Sequence, residues 1–302
     1  MFEPAFRVTQ STVQLSAARP VAVKEIPALN RTIAPHDHDY FEFTVVVAGH
    51  GTHLTEGTAN PLTRGSVLLL APEEVHGYQL EPGEQLHLWN IYYLAEWLLV
   101  DLPLLWREPL LVDLFLAQEL FPNSRRGRIP EFRLGEDELQ AALDELAAIQ
   151  LELASTVPSL IYLKSCFLKF LIQLTRAYCR RQERPQNLLF RKDVWRIIQR
   201  IDEIVQRNDR FDPGEEIRRL GITRDHGARL FREATGRSPM EYYQERRIQQ
   251  ACFRLLDPRS NLTEIALDLR FSDSAHFSRL FRKHRGISPS QYRVRYQAGE
   301  GA

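Results

Sequence analysis

The sequence predicts an α+β protein: an N-terminal β-barrel, a helical segment for dimerisation and linkage, and a C-terminal all-α module. Three observations carry this expectation. Residues 20–95 hold short β-type runs divided by Gly, Pro and Asn, residues 136–181 carry apolar stripes at helical spacing, and the stretch after 191 is helical, basic and repeated once. A chain of 302 residues exceeds one ordinary core, so the expected domains are 1–110, 111–187 and 188–302.

In the first domain the runs FEFTVVVAG, GTHLTEG, RGSVLLLAP, HGYQLEPG and QLHLWNIYY come with turn signals every ten residues or so, which indicates a sandwich or barrel. In the second, EDELQAALDELAAIQLELA and SLIYLKSCFLKFLIQLTRAYCRR read as two helices parted by Pro158. Leu139, Leu143, Leu146 and Leu153 stripe one; Leu160, Leu163, Phe167, Phe170 and Leu174 stripe the other. Such stripes bury against the β domain or against a second copy. Leu163 and Phe170 are expected at a homodimer seam. The polar run RRQERPQN at 180–187 reads as a linker.

Composition is that of a folded protein, 44% hydrophobic and 26% charged. The formal net charge of zero conceals a division: residues 191–302 carry 23 basic and 16 acidic side chains, net +7, leaving −7 before them. The basic part suits a polyanion. Cys166, Cys179 and Cys252 have no metal-like spacing and read as reduced thiols of a cytoplasmic protein. No export signal or membrane helix is expected, since the apolar run around 98–106 is broken by Asp101 and Pro103.

The third domain repeats itself. TRDHGARLFREATGRSPMEYY (223–243) set over DSAHFSRLFRKHRGISPSQYR (273–293) gives nine identities in 21 positions at an offset of 50. In the second copy, Ile265 and Leu269 share a face with the small Ala266, a short turn covers Arg270–Ser272, and Asp273 is placed to cap the next helix. That is a helix-turn-helix pattern. Its second helix buries Phe277 and Phe281 and leaves Ser274, Ala275, Ser278, Arg279 and Arg282 outward, small residues and arginines suited to base edges and phosphates in a major groove.

The run I265-A266 … F271-S272-D273 … F277 … F281 … G286 … S288-P289 … Y292-R293 resembles the signature of the AraC/XylS family of bacterial transcription regulators. The resemblance implies a sequence-specific regulator of double-stranded DNA, an activator working with RNA polymerase, and not an enzyme. It also implies base-facing roles for Asp225, Ala228 and Arg229 in copy one and for Ser274, Ala275, Ser278 and Arg279 in copy two, with Arg224, Arg232, Arg282 and Lys283 completing the DNA-contacting set. Three departures stand out. Arg270 occupies a position where the family usually has Gly, Glu216–Ile217 replaces the usual Leu-Ala type pair, and Gly227 stands where copy two has Phe277. A glycine there is expected to leave a gap, so a larger side chain such as leucine would stiffen copy one.

In PHDHDYFEFTVVVAGHGTH, His36, His38, Glu42 and Gly49 stand in an H-x-H-x3-E-x6-G pattern, and His76 follows in APEEVHGY. His36 and His38 fall on one strand face. The spacing resembles a first cupin motif and a loosened second one, which implies a cupin-like sensing domain. Three histidines and a carboxylate suit a divalent metal, and a metal-dependent cupin enzyme fused to a DNA-binding tail is the alternative reading. Cupin-type sensors of such regulators commonly bind an organic ligand instead, so no cofactor or metal is expected. The layout resembles the rhamnose-operon regulators of the family, implying a sugar or sugar acid as effector. His36, His38, Tyr40, Glu42, His76, Trp89, Asn90 and Tyr92 are the expected pocket.

Overall fold

Period-two alternation organises the first part of the chain in this computed structural model, which describes residues 3–16, 18–116, 120, 132–181, 192–257 and 259–297. The chain forms two units, Met1–Leu94 with Arg128–Arg184, and Ala95–Gly127 with Pro185–Ala302.

In the first unit, β1 (Phe6–Val8), β3 (Ile33–His38), β8 (His76–Gln79), β5 (Gly51–Thr55) and β6 (Thr58–Leu62) form one sheet in that order. The other runs β10 (Phe132–Arg133), β7 (Ser66–Leu70), β4 (Phe41–Gly49), β9 (Leu86–Tyr93), β2 (Val21–Leu29). The expected barrel is thus two open five-stranded sheets in a cupin-like jelly-roll arrangement, their inner faces sharing a core of Val46, Leu62, Leu68, Tyr78, Leu86 and Leu88. Gly49 owes its identity to sterics: its φ is +92° and a Cβ would lie 1.9 Å from the Gln85 carbonyl oxygen.

The second sheet's outer face presents Phe43 and Tyr93, and helices α4 (Glu136–Leu153) and α5 (Leu160–Arg181) cover it. Phe170 meets the Phe43 ring edge-on at 5.4 Å, and Phe167 approaches Tyr93 at 4.9 Å. Leu163 and Phe170 are fully buried within this unit. Their expected place on a dimer seam is therefore corrected: the β domain takes up the stripe, because one sheet face needs a wide apolar cover. What the helical pair leaves exposed is its tip, where Leu151, Val157, Ile161 and Tyr162 stand in solvent.

The division between units falls after Leu94, whereas the sequence suggested 110. Helices α1 (Ala95–Leu99), α2 (Leu102–Leu105) and α3 (Pro109–Phe115) group with the C-terminal unit. Trp106 Nε1 donates to Asp202 Oδ2 at 2.8 Å, and Arg246 Nη2 donates to the Leu99 carbonyl at 3.1 Å. Asp202, Arg246 and Tyr242 are buried, and the carboxylate also accepts from Arg246 Nε and the Tyr242 hydroxyl. A buried ion pair is tolerable only when its remaining hydrogen bonds are met, and here they are. The expected linker lies, from residue 182 on, outside the described residues. Among those described, no helix is long and apolar enough to cross a membrane.

After α6 (Lys192–Gln206) come α7 (Pro213–Arg219) with α8 (Arg224–Thr235), the long α9 (Pro239–Leu255), α10 (Leu262–Asp268) with α11 (Ser274–Arg285), and α12 (Pro289–Gln297). The pairs α7–α8 and α10–α11 are the two helix-turn-helix units. Both second helices have 12 residues and end on a left-handed glycine, Gly236 or Gly286, each at φ +75°. From α9, Arg247 donates to the Leu269 carbonyl at 2.6 Å and lies 3.8 Å over the Phe271 ring, fastening the second unit's turn.

Gly227 corrects a second expectation. Rather than leaving a gap, it is where α8 meets α7: a Cβ there would stand 2.5 Å from Ile217 Cγ2 and 3.3 Å from Ile222 Cγ2. Arg270 does adopt the left-handed region, at φ +59°, with Nε donating to the Asn208 carbonyl at 2.8 Å.

Candidate functional site

Cross-strand register assembles the sensor's inner face in rows. Lys24, Asn90, Thr44 and Leu68 stand opposite one another in the second sheet, and Ala22, Tyr92, Glu42 and Leu70 form the adjacent row. In the first sheet, Phe6, His36, His76 and Thr55 are in register. Between the sheets lies a cavity of about 790 Å³ lined by His36, Tyr40, Glu42, Tyr78, Asn90 and Tyr92, with Arg19, Lys24 and Arg31 along its β2 side. This size suits an organic ligand.

Its polar wall is a directed hydrogen-bond chain. Thr44 has one proton, shared between Asn90 Oδ1 at 3.0 Å and Glu42 Oε1 at 3.3 Å, and its oxygen lies 3.1 Å from the Tyr78 hydroxyl. Asn90 Nδ2 donates to the Tyr92 oxygen at 3.2 Å, leaving the Tyr92 proton for a ligand. Tyr40 lies edge-on to Tyr92, with ring centroids 5.3 Å apart, and stacks on His38.

Of the expected set, His36, Tyr40, Glu42, Asn90 and Tyr92 line the cavity. His38 and His76 stand behind Glu42: His38, Glu42 and His76 are buried and their ligand atoms lie within 4.8 Å of one another. His36 is not in that group; its Nδ1 donates to the Ala34 carbonyl and its ring stacks on Phe6. Trp89 is not brought to the site. Adjacent to Asn90 on β9, it must face the other way. Thr44, Tyr78 and Lys24 were not expected, although period two from Glu42 and from His76 marks the first two.

Burial pushes the Glu42 carboxyl up to about 8 and the His38 imidazole down to about 4. The 3.6 Å approach of His38 Nε2 to Glu42 Oε2 is therefore a contact between neutral groups at pH 7, with His38 Nδ1–H donated to the Tyr40 carbonyl.

On the other unit, α8 exposes Arg224, Asp225, Arg229 and Arg232 with Ala228 half-buried, and α11 exposes Ser274, Ala275, Arg279, Arg282 and Lys283 with Ser278 half-buried. Each helix thus presents its whole expected contact set on one solvent face, opposite Leu230 and Phe231 or Phe277 and Phe281. Asp273 accepts from the His276 amide at 2.6 Å, whereas Thr223 gives α8 no side-chain cap. Arg229 is held by Glu233 at 3.2 Å and by His226 Nδ1. Among the described residues Arg279 has no ion pair. Glu216, in the departed pair of copy one, is buried and bridges Arg200 at 2.6 Å and Arg219 at 2.7 Å.

Residues 22–160 match the AraC-like ligand binding domain, and residues 217–295 match a helix-turn-helix domain. The chain is 24% identical over 266 residues to the HTH-type transcriptional activator RhaR of Mannheimia succiniciproducens, covering 86% of this chain and 87% of that one. It is 28% identical over 265 residues to the HTH-type transcriptional activator RhaS of Escherichia coli O81, covering 85% and 86%. Among solved structures, ToxT from Vibrio cholerae is similar at 14% identity, covering 92% of this chain and 99% of that one, with a TM-score of 0.41.

Proposed function

Because the chain belongs to the AraC family, with a ligand-binding domain ahead of a DNA-binding helix-turn-helix domain, we propose that it is a cytoplasmic transcription activator, not an enzyme, switched by a sugar or sugar acid. The carrying observation is the pair of recognition helices of equal length, each with an outward arginine face, on a chain whose other unit holds a cavity with one polar wall. Helices of this kind enter successive major grooves roughly 34 Å apart. Arg229, Ala228 and Asp225 read bases from α8; Ser274, Ala275, Ser278 and Arg279 read them from α11. Arg224, Arg232, Arg282 and Lys283 take phosphates, so affinity falls steeply with salt. The relatives' description as activators supports contact with RNA polymerase. The exposed tip at Leu151, Val157, Ile161 and Tyr162 supports a homodimer. Operator footprinting with the purified chain, with and without candidate sugars and sugar acids, tests the proposal. Equal protection of specific and random duplex would refute it.

A second reading draws on His38, Glu42 and His76, whose donor types and closeness suit one divalent ion. Stoichiometric metal in the purified chain, lost in His76→Ala, would favour it.

A further inference from the structure

The cavity is cationic along one side. Arg19 precedes β2, Lys24 lies within it and Arg31 follows it, and all three line the space. Register sets Lys24 directly across from Asn90, and alternation sends it to the same side as Ala22 and Ile26, which also line the cavity. Its ammonium group therefore stands on the side that carries the Thr44, Asn90 and Tyr92 hydrogen-bond chain. Arg19 is anchored by Nη1 donating to Gln14 Oε1 at 3.1 Å, while its Nε is buried without a hydrogen-bond partner. None of the three cations has an ion pair among the described residues. Of the lining carboxyl groups, Glu25 is occupied by His87 Nε2 at 2.8 Å, and Glu42 is enclosed between Thr44 and His38. The positive charge is left uncompensated by the protein itself.

We infer that the effector is an anionic polyol, a uronate or aldonate in preference to a neutral sugar, with its carboxylate on Arg19 and Lys24 and its hydroxyls on Asn90, Tyr92 and Tyr78. This rests on the ligand-binding reading above and narrows it. The two cations contribute unequally. Lys24 is exposed and screened by water, so it steers the ligand and adds little. Arg19 is half-buried, so a carboxylate on its guanidinium gains charge-assisted bonds that water screens less. A fatty acid would leave the Tyr92 proton unpaired, and a phosphate dianion needs more converging donors than one half-buried guanidinium offers.

Calorimetric titration of the full chain with D-glucuronate, D-galacturonate and D-gluconate against D-glucose, D-galactose and L-rhamnose tests this, with D-glucose 6-phosphate and palmitoleate alongside. At least one acid should bind about tenfold or more tightly than its neutral counterpart. Arg19→Met should weaken that acid about ten- to a hundredfold while leaving neutral sugars unchanged, Arg19→Lys should recover part of the loss, and Lys24→Met should cost about twofold to fivefold. A thermal melt of each variant separates lost binding from lost folding. The inference is overturned if the neutral sugar binds as well as its acid, if a well-folded Arg19→Met keeps the acid affinity, or if only the phosphate or the fatty acid binds. If nothing in the panel binds and operator affinity ignores all of it, the inference falls together with the ligand-binding reading.

Discussion

At Gly227 a hydrogen atom is all that separates two helices, and the nearest neighbour of an added Cβ is the branched, buried Ile217, 2.5 Å away. Gly227→Ala should therefore destabilise the C-terminal unit by about 1–3 kcal/mol, as overpacking does, despite alanine's better helix propensity. A denaturant midpoint at or above that of the parent chain would refute the close-approach account. Glu42 makes a second case. Its folded-state pKa of about 8 lies above its ordinary 4.5, so between those values the folded state binds the extra proton and stability falls as pH rises. His38, lowered from 6.5 to about 4, acts in the opposite direction, but only below 6.5. From pH 6.5 to 8 the Glu42 contribution stands alone of the two and should cost the sensor unit about 1–2 kcal/mol. Glu42→Gln should flatten that slope in thermal melts. A slope unchanged by the substitution would mean that the carboxyl is already ionised, as a bound divalent ion would make it.

The recognition helices differ in readiness. Helix α11 begins on a capped aspartate and carries Arg279 with no ion pair among the described residues, while α8 lacks the side-chain cap and must release Arg229 from Glu233 before it can reach a base. Arg279→Ala should cost about 1–3 kcal/mol of operator binding and relax base preference at one position, and Arg229→Ala should cost less. Titrations at one salt concentration decide it; a larger loss at Arg229 would make α8 the principal reader. These helices were legible in the sequence because their signals are local: an offset of 50, a terminal glycine, a serine-proline restart. The features it hid depend on distant partners. Gly227 is explained by Ile217, in another helix, and the striped face of α5 by Phe43, more than a hundred residues earlier. Trp89 failed for a simpler reason. On β9 its side chain alternates away from Asn90 and Tyr92, which line the cavity.

The units are interleaved along the chain, since residues 95–127 belong with 185–302 and the segment between them belongs with the β sheets. A fragment starting at 188 would lack Trp106 and the Leu99 carbonyl, two of the groups that satisfy the buried Asp202–Arg246 pair. In the full chain, Trp106→Phe should cost about 1–3 kcal/mol by leaving that carboxylate one donor short, read as earlier unfolding of the C-terminal unit and weaker operator binding. Unchanged stability would mean that the pair does not need the indole. The same arrangement sets a timetable for synthesis. Trp106 and Asp202 are 96 residues apart, so a ribosome adding about 5–20 residues per second releases the first roughly 5–20 s before the second exists. Through that interval Leu98, Leu99, Leu102 and Trp106, all buried in the finished protein, have no partner helices to cover them. The nascent chain at that stage is a natural client for a chaperone that grips short apolar segments.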